Sequence, residues 1–296
     1  MIKRAHFRNP VLPYLLIFPQ ILVTVVFFFW PAGAALMQAF LISDAFGQKS
    51  RFVWFENFAT VFSVPEYKVI FLRTLWFSLL VTLLSMGAGL LLAVLANRAF
   101  KLRKFFSTMI IWPYAVAPAI AGILWMFLFH PSYGAIGRHL HEAFDWNPTL
   151  NATHAMVLVV VASSWKQISY NFVFFLGALQ SVPRSLIEAA CIDGAGPARR
   201  FFVITLPLLS PTLFFLLVMN FVYAFFETFG VIHSTTEGGP GGATSTLVYK
   251  VYSDGFVGLD LGGSAAQSVV LMVITIALTF VQFRYAEKRV HYSGGR

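Results

Sequence analysis

The residues best suited to do chemistry in this sequence are polar side chains within a long apolar run, residues 155–180. They are Ser163, Ser164, Lys166, Gln167, Tyr170 and Asn171. At 100° per residue these side chains cover an arc of about 160° on a helix. A polar face that wide cannot point at lipid, so it must face other helices or a water-filled path. The ammonium of Lys166 also needs an anionic partner or water nearby.

A second polar set falls on another apolar run, residues 203–229. Its members are Asn220, Tyr223 and Glu227, and their spacing places them on one helix face. Glu227 is near the outer end of its helix, so an ion pair with Lys166 would require a helix shift or a water molecule. Two interpretations stay open for both sets. They line a substrate path, or they form structural pairs inside a helix bundle.

The sequence lacks the patterns of common reaction centres. No Gly-x4-Gly-Lys-Ser/Thr phosphate loop is present, so the chain does not bind ATP by that route. The histidines are not paired within apolar runs as metal or haem ligation requires, and no nucleophile–base set stands out. We expect no enzyme activity, no catalytic residue, no metal site and no cofactor on this chain. The single cysteine, Cys191, excludes a disulfide framework, and we expect it to be packed.

Composition places the chain in a membrane. It is 58% hydrophobic and 11% charged, whereas a soluble domain has about 25% charged residues. The net charge of +9 raises the possibility of a nucleic-acid partner. The basic residues are scattered at the ends of apolar runs rather than gathered in a groove, so we expect no nucleic acid.

Six apolar runs reach the roughly 20 residues that a membrane-spanning helix needs. They are 11–36, 74–97, 106–130, 155–180, 203–229 and 265–283. Fourteen of the 21 Lys and Arg residues flank these runs on one side and six on the other. Because positive charge stays cytoplasmic, we expect an all-α integral membrane protein with six transmembrane helices. Both termini would be cytoplasmic, and residues 1–296 would form a single domain.

Two of these runs carry packing signals. The second has small residues on one face, which let helices approach closely in lipid. These are Ser78, Thr82, Ser85 and Gly89. The third contains Pro113, Pro118 and Gly122, which predict a kink.

A polar stretch, residues 183–207, separates the fourth and fifth runs. Ser185 and Glu188 match a capping box, which predicts the start of a helix. Gly194 allows the positive φ that ends a short helix, and Pro197 suits the first turn of a second one. The prediction is a helix–turn–helix hairpin on the cytoplasmic side that contacts a soluble partner.

This hairpin resembles a family motif. Glu188-Ala-Ala190, Gly194 and Ile204-Thr-Leu206-Pro207 match the EAA–Gly–Ile-x-Leu-Pro pattern of permease subunits of binding-protein-dependent ABC importers. Gly238-Gly-Pro240 resembles a second mark of the carbohydrate-type subfamily. Further stretches from residue 12 to residue 285, such as Trp165–Phe172, are similar to permease subunits of sn-glycerol-3-phosphate importers.

The resemblance implies a type I ABC importer permease fold in the bacterial inner membrane and transport of sn-glycerol-3-phosphate or glycerophosphodiesters. Two alternatives remain: a permease for an uncharged sugar, and an ion-coupled secondary transporter that uses Lys166 and Glu227 as coupling charges. The implied partners are a sister permease subunit in a heterodimer, a periplasmic substrate-binding protein, the lipid bilayer and two ATPase subunits, which bind ATP and Mg²⁺.

The resemblance also assigns residues. The hairpin would be the coupling helix that docks on the ATPase. Its coupling residues would be Glu188, Ala189, Ala190, Asp193, Gly194, Arg199 and Arg200. Two uses remain open for Arg199 and Arg200, namely contact with acidic partner residues and contact with lipid headgroups.

Overall fold

The computed structural model describes residues 11–43, 50–97 and 103–286, which are mainly helical. Several charges behind the predicted orientation, including Lys3, Arg98 and Lys288, lie outside the described residues, so the orientation stays a prediction. The chain divides into two compact units, Met1–Val64 with Val251–Val270, and Pro65–Lys250 with Leu271–Arg296. The single domain expected from the sequence likewise stays a prediction.

Helices follow one another along most of the described chain. In order they are α1 (Val11–Thr24), α2 (Trp30–Gln38), α3 (Glu56–Ser63), α4 (Pro65–Asn97), α5 (Arg103–Ile111), α6 (Pro118–Phe129), α7 (Gly137–Phe144), α8 (Ala152–Ser181), α9 (Arg184–Ile192), α10 (Pro197–Arg200), α11 (Leu206–Leu208), α12 (Ser210–Val222), α13 (Phe229–Thr235), α14 (Leu247–Tyr252) and α15 (Leu261–Ala286). Short 3₁₀ or π-helical turns occupy Val25–Phe29, Trp112–Ala115, Phe201–Thr205, Tyr223–Glu227 and Ser253–Val257. Two strands, β1 (Leu41–Ser43) and β2 (Ser50–Phe52), form a small antiparallel pair.

The first unit contains a long apolar helix and a small hairpin beside α3. α1, the π-helical turn after it and α2 run on as one helix whose residues are not buried. Asn57 on α3 donates its side-chain N–H groups to the carbonyl of Ala39 at 2.9 Å and that of Leu41 at 3.0 Å. These bonds tie α3 to the chain that leaves α2.

α4 and α8 pack along each other in the second unit. The small residues Ser78, Thr82 and Ser85 on α4 are buried. A Cβ atom added to Gly89 would lie 2.7 Å from the Cβ of Asn171 on α8. The predicted close-packing face of α4 is therefore confirmed. Because lipid tails are as apolar as the side chains, this close fit holds the helices together mainly through van der Waals contact.

Four helices in the described chain are long and apolar enough to span a membrane. They are Val11–Gln38, Pro65–Asn97, Ser210–Glu227 and Leu261–Arg284. The pair Phe105–Ala115 and Pro118–Phe129 also passes as one bent span. α8 is not among them, because the polar residues at its middle lower its hydropathy. α4 begins before the predicted boundary at residue 74, because charges end the apolar run there without ending the helix.

The third run is sharply broken, which confirms the predicted kink. Its two helices meet at 105°. Pro113 lies in the 3₁₀ turn at the break and has no N–H to donate. Ala117, which precedes Pro118, has the extended ψ of 141° that a following proline favours. A Cβ on Gly122 would lie 2.8 Å from the carbonyl oxygen of Val231, so this glycine allows α6 to approach α13.

Candidate functional site

The polar hairpin begins differently from the capping-box prediction. α8 ends at Ser181, and Val182 is extended, as expected before a proline. Pro183 precedes α9 as its N-cap residue, and its side chain makes no capping hydrogen bond. Ser185 already lies within the first turn. The predicted capping box of Ser185 and Glu188 is therefore wrong, because Pro183, two residues before Ser185, occupies the N-cap position of α9.

The turn after α9 agrees with the prediction. Gly194 has a φ of +77°, a conformation that glycine adopts without steric strain. The N–H of Ala195 donates to the carbonyl of Ala190 at 2.9 Å, and that of Gly194 to the carbonyl of Cys191 at 3.0 Å. These two bonds form a Schellman motif, which satisfies the last carbonyls of α9. Pro197 then opens α10 as expected.

Most residues predicted to couple to an ATPase are accessible. The exposed ones are Glu188, Ala189, Asp193, Gly194 and Arg199, whereas Ala190 is buried and Arg200 is half-buried. The guanidinium of Arg200 donates to the sulfur of Cys191. Cys191 is exposed, so the expectation that it is packed is wrong. The end of α9 and the start of α10 thus form one accessible surface.

The sequence argument missed Ile192. This residue ends α9, and its side chain is 87% exposed. It is one of two apolar or sulfur-containing residues between the EAA triplet and Asp193, the other being Cys191, and both are exposed. Large side chains that a partner desolvates often carry much of the binding energy of an interface.

A cavity of about 610 Å³ lies between the hairpin and the ends of α4 and α8. Its polar lining residues include Asn97, Gln180, Arg184, Glu188 and Thr205. α9 therefore does not pack flat against the long helices.

The polar face of α8 turns inward. Lys166 is 7% exposed and Gln167 is 5% exposed. The ammonium of Lys166 donates to the carbonyl oxygen of Val116, in the break between α5 and α6. The hydroxyl of Ser169 donates to the carbonyl of Ile110 at 2.7 Å. The partners of Lys166 and Ser169 are thus backbone carbonyl groups of the broken helix.

An amide pair joins α8 to α12. Asn171 and Asn220 are fully buried, and each donates to the side-chain oxygen of the other, at 3.1 and 2.8 Å. Ser85 on α4 donates to the same oxygen of Asn220 at 2.8 Å. The network connects three helices with its polar groups satisfied, which makes it a strong determinant of their alignment.

Glu227 and Tyr170 remain accessible. Glu227 is exposed at the end of a π-helical turn, a feature often found at functional sites. No ion pair within 4.0 Å joins it to Lys166 among the described side chains. Tyr223 is buried and donates to the carbonyl of Ser163 at 3.1 Å.

The Gly-Gly-Pro segment forms an ordered set of turns. Gly238 and Gly242 have φ values of +76° and +75°. Arg73 on α4 donates to the carbonyls of Gly242 at 2.5 Å and Ser245 at 3.3 Å. The N–H of Leu247 donates to the hydroxyl of Thr74 at 2.9 Å. The start of α4 therefore holds this loop in place.

No group of three or more His, Cys, Asp or Glu side chains that could hold a metal ion occurs in residues 11–43, 50–97 and 103–286. The two clusters of interest are thus the hairpin and the polar interior around α8.

A family model described as "Binding-protein-dependent transport system inner membrane component" matches residues 85–292. The chain belongs to this family. The match includes both clusters.

Relatives of this transport family cover almost the whole chain. The sn-glycerol-3-phosphate transport system permease protein UgpA of Rhizobium meliloti (strain 1021) is 59% identical over 98% of this chain and 99% of its own length. The protein of the same name from Brucella abortus is 58% identical over 98% of this chain and 100% of its own. That of Escherichia coli (strain UTI89) is 55% identical over 98% and 99%. These relatives are named as transport permeases, not as enzymes.

The fold of this family member is shared with a solved transporter. A chain from the crystal structure of a bacterial ABC transporter that imports the acidic polysaccharide alginate superimposes with a TM-score of 0.81. The match covers 94% of this chain and 95% of that one at 22% identity. The same transporter with its pentasaccharide-bound periplasmic protein gives a TM-score of 0.80. This chain is therefore a multi-pass membrane protein with an ABC importer permease fold.

Proposed function

We propose that this chain is a permease subunit of an ATP-driven importer for sn-glycerol-3-phosphate in a bacterial inner membrane. The observation that carries the proposal is the identity of 55 to 59% with permeases named for that substrate, over nearly the full length of both chains. Glycerophosphodiesters share the glycerol phosphate group and are the second substrate class. Importers related only by fold differ too much in sequence to inform the choice of substrate.

In this proposal the chain crosses the membrane six times, with both termini in the cytoplasm. α8 is one of the six spans, although its hydropathy is low. It can cross the membrane because α4 and the broken third span shield its polar face from lipid. A sister permease subunit completes a heterodimer. Two ATPase subunits bind ATP and Mg²⁺ on the cytoplasmic side, and a periplasmic binding protein delivers substrate.

The hairpin is the docking element for an ATPase. The Schellman turn at Gly194 and the bond from Arg200 to Cys191 hold α9 and α10 in one arrangement. A rigid element of this kind moves with the surface on which it docks. When the ATPases close on ATP, α9 is carried with them and tilts α8, which changes the side on which the path opens.

The transport path follows the accessible polar groups between this chain and its sister subunit. Tyr170 and Glu227 are accessible in this chain, and a carboxylate in a membrane span faces protein or water rather than lipid. Behind them lie the other side chains that the sequence nominated. These are Lys166, Gln167, Asn171, Asn220 and Tyr223. We place the first group at the path surface and the second group in its supporting wall.

The test is reconstitution of the full complex in proteoliposomes. ATP hydrolysis is measured with binding proteins loaded with sn-glycerol-3-phosphate, a glycerophosphodiester or maltose. The proposal requires that the glycerol-3-phosphate-loaded protein stimulates hydrolysis and that the labelled substrate accumulates inside. Stimulation by the maltose-loaded protein alone would reassign the substrate to uncharged sugars. Uptake that continues without ATPase subunits but collapses with an ionophore would replace the importer by a secondary transporter.

A further inference from the structure

The break in the third span frees backbone carbonyl groups inside the membrane. Pro113 and Pro118 have no N–H groups to offer to the preceding turns. Val116 lies between the 3₁₀ turn Trp112–Ala115 and α6, so its carbonyl belongs to neither helix. A carbonyl left without a hydrogen bond in the hydrocarbon region is strongly unfavourable, because no water is there to bind it. The 105° bend therefore needs donors from elsewhere.

Two side chains one turn apart on α8 supply these donors. Lys166 donates to the carbonyl of Val116 after the 3₁₀ turn, and Ser169 donates to the carbonyl of Ile110 before it, at 2.7 Å. We call Lys166 and Ser169 the bracket, because their bonds lie on either side of the turn. Tyr170 on the same helix packs its ring against Tyr114 in the turn, with ring centres 5.9 Å apart.

The bracket includes the ammonium group of Lys166, for which the sequence left two roles open, lining a substrate path or pairing within the helix bundle. Lys166 is 7% exposed, and its bond to Val116 uses one of three donors. An ammonium near the last carbonyls of a helical segment is also favoured by the helix dipole. Ser169 is 1% exposed and carries no charge. The pair is therefore built to hold backbone rather than to meet a solute.

α8 also leads directly to the docking hairpin. It is unbroken from Ala152 to Ser181, and α9 begins at Arg184. A tilt imposed on α9 thus reaches the middle of α8, where the bracket passes it to the broken third span. Without the bracket, the break can bend or rotate while α8 moves.

We propose that Lys166 and Ser169 are positioning residues that couple the movement of α8 to the broken third span. This inference rests on the proposed importer function. Loss of the bracket leaves ATP hydrolysis and substrate affinity in place but lowers the amount of substrate imported per ATP. A substrate contact at Lys166 would behave differently, because its removal would raise the KM for uptake.

The variants are Ser169→Ala and Lys166→Met, with Lys166→Arg as the conservative replacement that keeps a charged donor. Ser164→Ala is the matched control, since Ser164 is a buried serine on the same helix whose hydroxyl has no hydrogen-bond partner among the described residues. Each complex is assembled with its ATPase and binding protein. Uptake and ATP hydrolysis are measured together across substrate concentrations. The probe is whichever of sn-glycerol-3-phosphate, a glycerophosphodiester and maltose the wild type imports.

We expect Ser169→Ala and Lys166→Met to lower import per ATP by about three- to tenfold, the range of one or two lost hydrogen bonds. The KM of both variants should stay within about twofold of the wild-type value. Lys166→Arg should largely restore import per ATP, and Ser164→Ala should leave it unchanged. Wild-type import per ATP in Ser169→Ala, together with a raised KM in Lys166→Met, would overturn the bracket proposal. If Lys166→Met does not assemble, Ser169→Ala alone decides the question through its import per ATP.

The two proposals fail in different ways. Import of maltose alone by the wild type would overturn the substrate assignment. The bracket proposal would then be tested by the amount of maltose that the variants import per ATP. Import of none of the three probes would overturn both proposals.

Discussion

Gly194 forms the turn of the polar hairpin in a backbone conformation that most side chains avoid. Its φ is +77°, and a Cβ atom placed there would meet nothing within 4 Å. The need for glycine therefore comes from the backbone and not from crowding. Its neighbour Ile192 shows the opposite case, in which the backbone is ordinary and the exposed side chain is the unusual feature. Local pattern anticipated the first of these residues and overlooked the second.

Substitution of Gly194 should follow backbone preference rather than side-chain size. Asparagine tolerates the left-handed conformation, whereas a β-branched residue does not. We expect Gly194→Asn to keep uptake within about twofold of the wild type and Gly194→Val to lower it by about tenfold or more, because the conformation costs roughly 1–2 kcal/mol per residue. Uptake is measured at matched amounts of inserted protein. Equal uptake by the two variants would contradict this account of the turn.

Ile192 is expected to contribute to docking through apolar contact. Ile192→Asp places a charge where the ATPase should desolvate the surface, so it should weaken assembly by about tenfold or more. Leu150→Asp is the control, because Leu150 is also strongly exposed, at 80%, but lies just before α8, at the opposite end of that helix from the hairpin. The measurement is the ATPase concentration needed to form the complex in detergent. A loss of similar size in both variants would indicate a general effect of the charge.

At the scale of elements, the contact between α4 and α8 and the break of the third span position the polar interior. The small face of α4 and the prolines of the third run are visible in the sequence, and both predictions are confirmed. Two glycines on α4 show how close the contact is. A Cβ atom added to Gly89 would lie 2.7 Å from the Cβ of Asn171 and 3.2 Å from the backbone nitrogen of Phe172, whereas one added to Gly87 would meet no described atom within 4 Å.

These two glycines provide a matched pair for the packing argument. Gly87→Ala should be neutral or should stabilise the helix by up to about 1 kcal/mol, because alanine loses less backbone entropy. Gly89→Ala should lower the thermal midpoint of the purified complex, because its Cβ overlaps α8. Heating followed by size-exclusion chromatography measures both. If Gly89→Ala proves as stable as Gly87→Ala, the helices are not in close contact at this point.

At the scale of the whole molecule, the orientation in the membrane decides which partner each surface meets. The distribution of Lys and Arg predicts a cytoplasmic hairpin. The protein carries its own reporter, because Cys191 is its only cysteine and is exposed on the hairpin.

A membrane-impermeant maleimide should label Cys191 in inside-out vesicles and not in right-side-out vesicles. Excess ATPase subunit should then protect it, since the hairpin becomes covered. In a Cys191→Ser background, Leu150→Cys should show the reverse sidedness, because in the proposed topology α8 crosses the membrane between Leu150 and the hairpin. Labelling of Cys191 from the outside would place the hairpin in the periplasm and would rule out docking on a cytoplasmic ATPase.

Sequence by itself determined the features that depend on near neighbours along the chain. Apolar runs identify helices, prolines predict the bend, and the glycine predicts the turn, because each acts through its own backbone. The capping box shows the limit of such patterns, since Pro183 two residues away sets the helix start instead. Family membership was also accessible, because the hairpin motif has fixed spacing.

Only the tertiary structure decided the partners of the polar side chains. Lys166 and Val116 are 50 residues apart, and Asn171 and Asn220 are 49 residues apart. Whether such groups meet depends on the offset and rotation of neighbouring helices. Side-chain packing across the helix interface fixes both. A rotation of one residue, or 100°, would separate the amide pair. The sequence therefore marked a polar face that must be satisfied, and the packed helices decided that backbone and amide groups satisfy much of it.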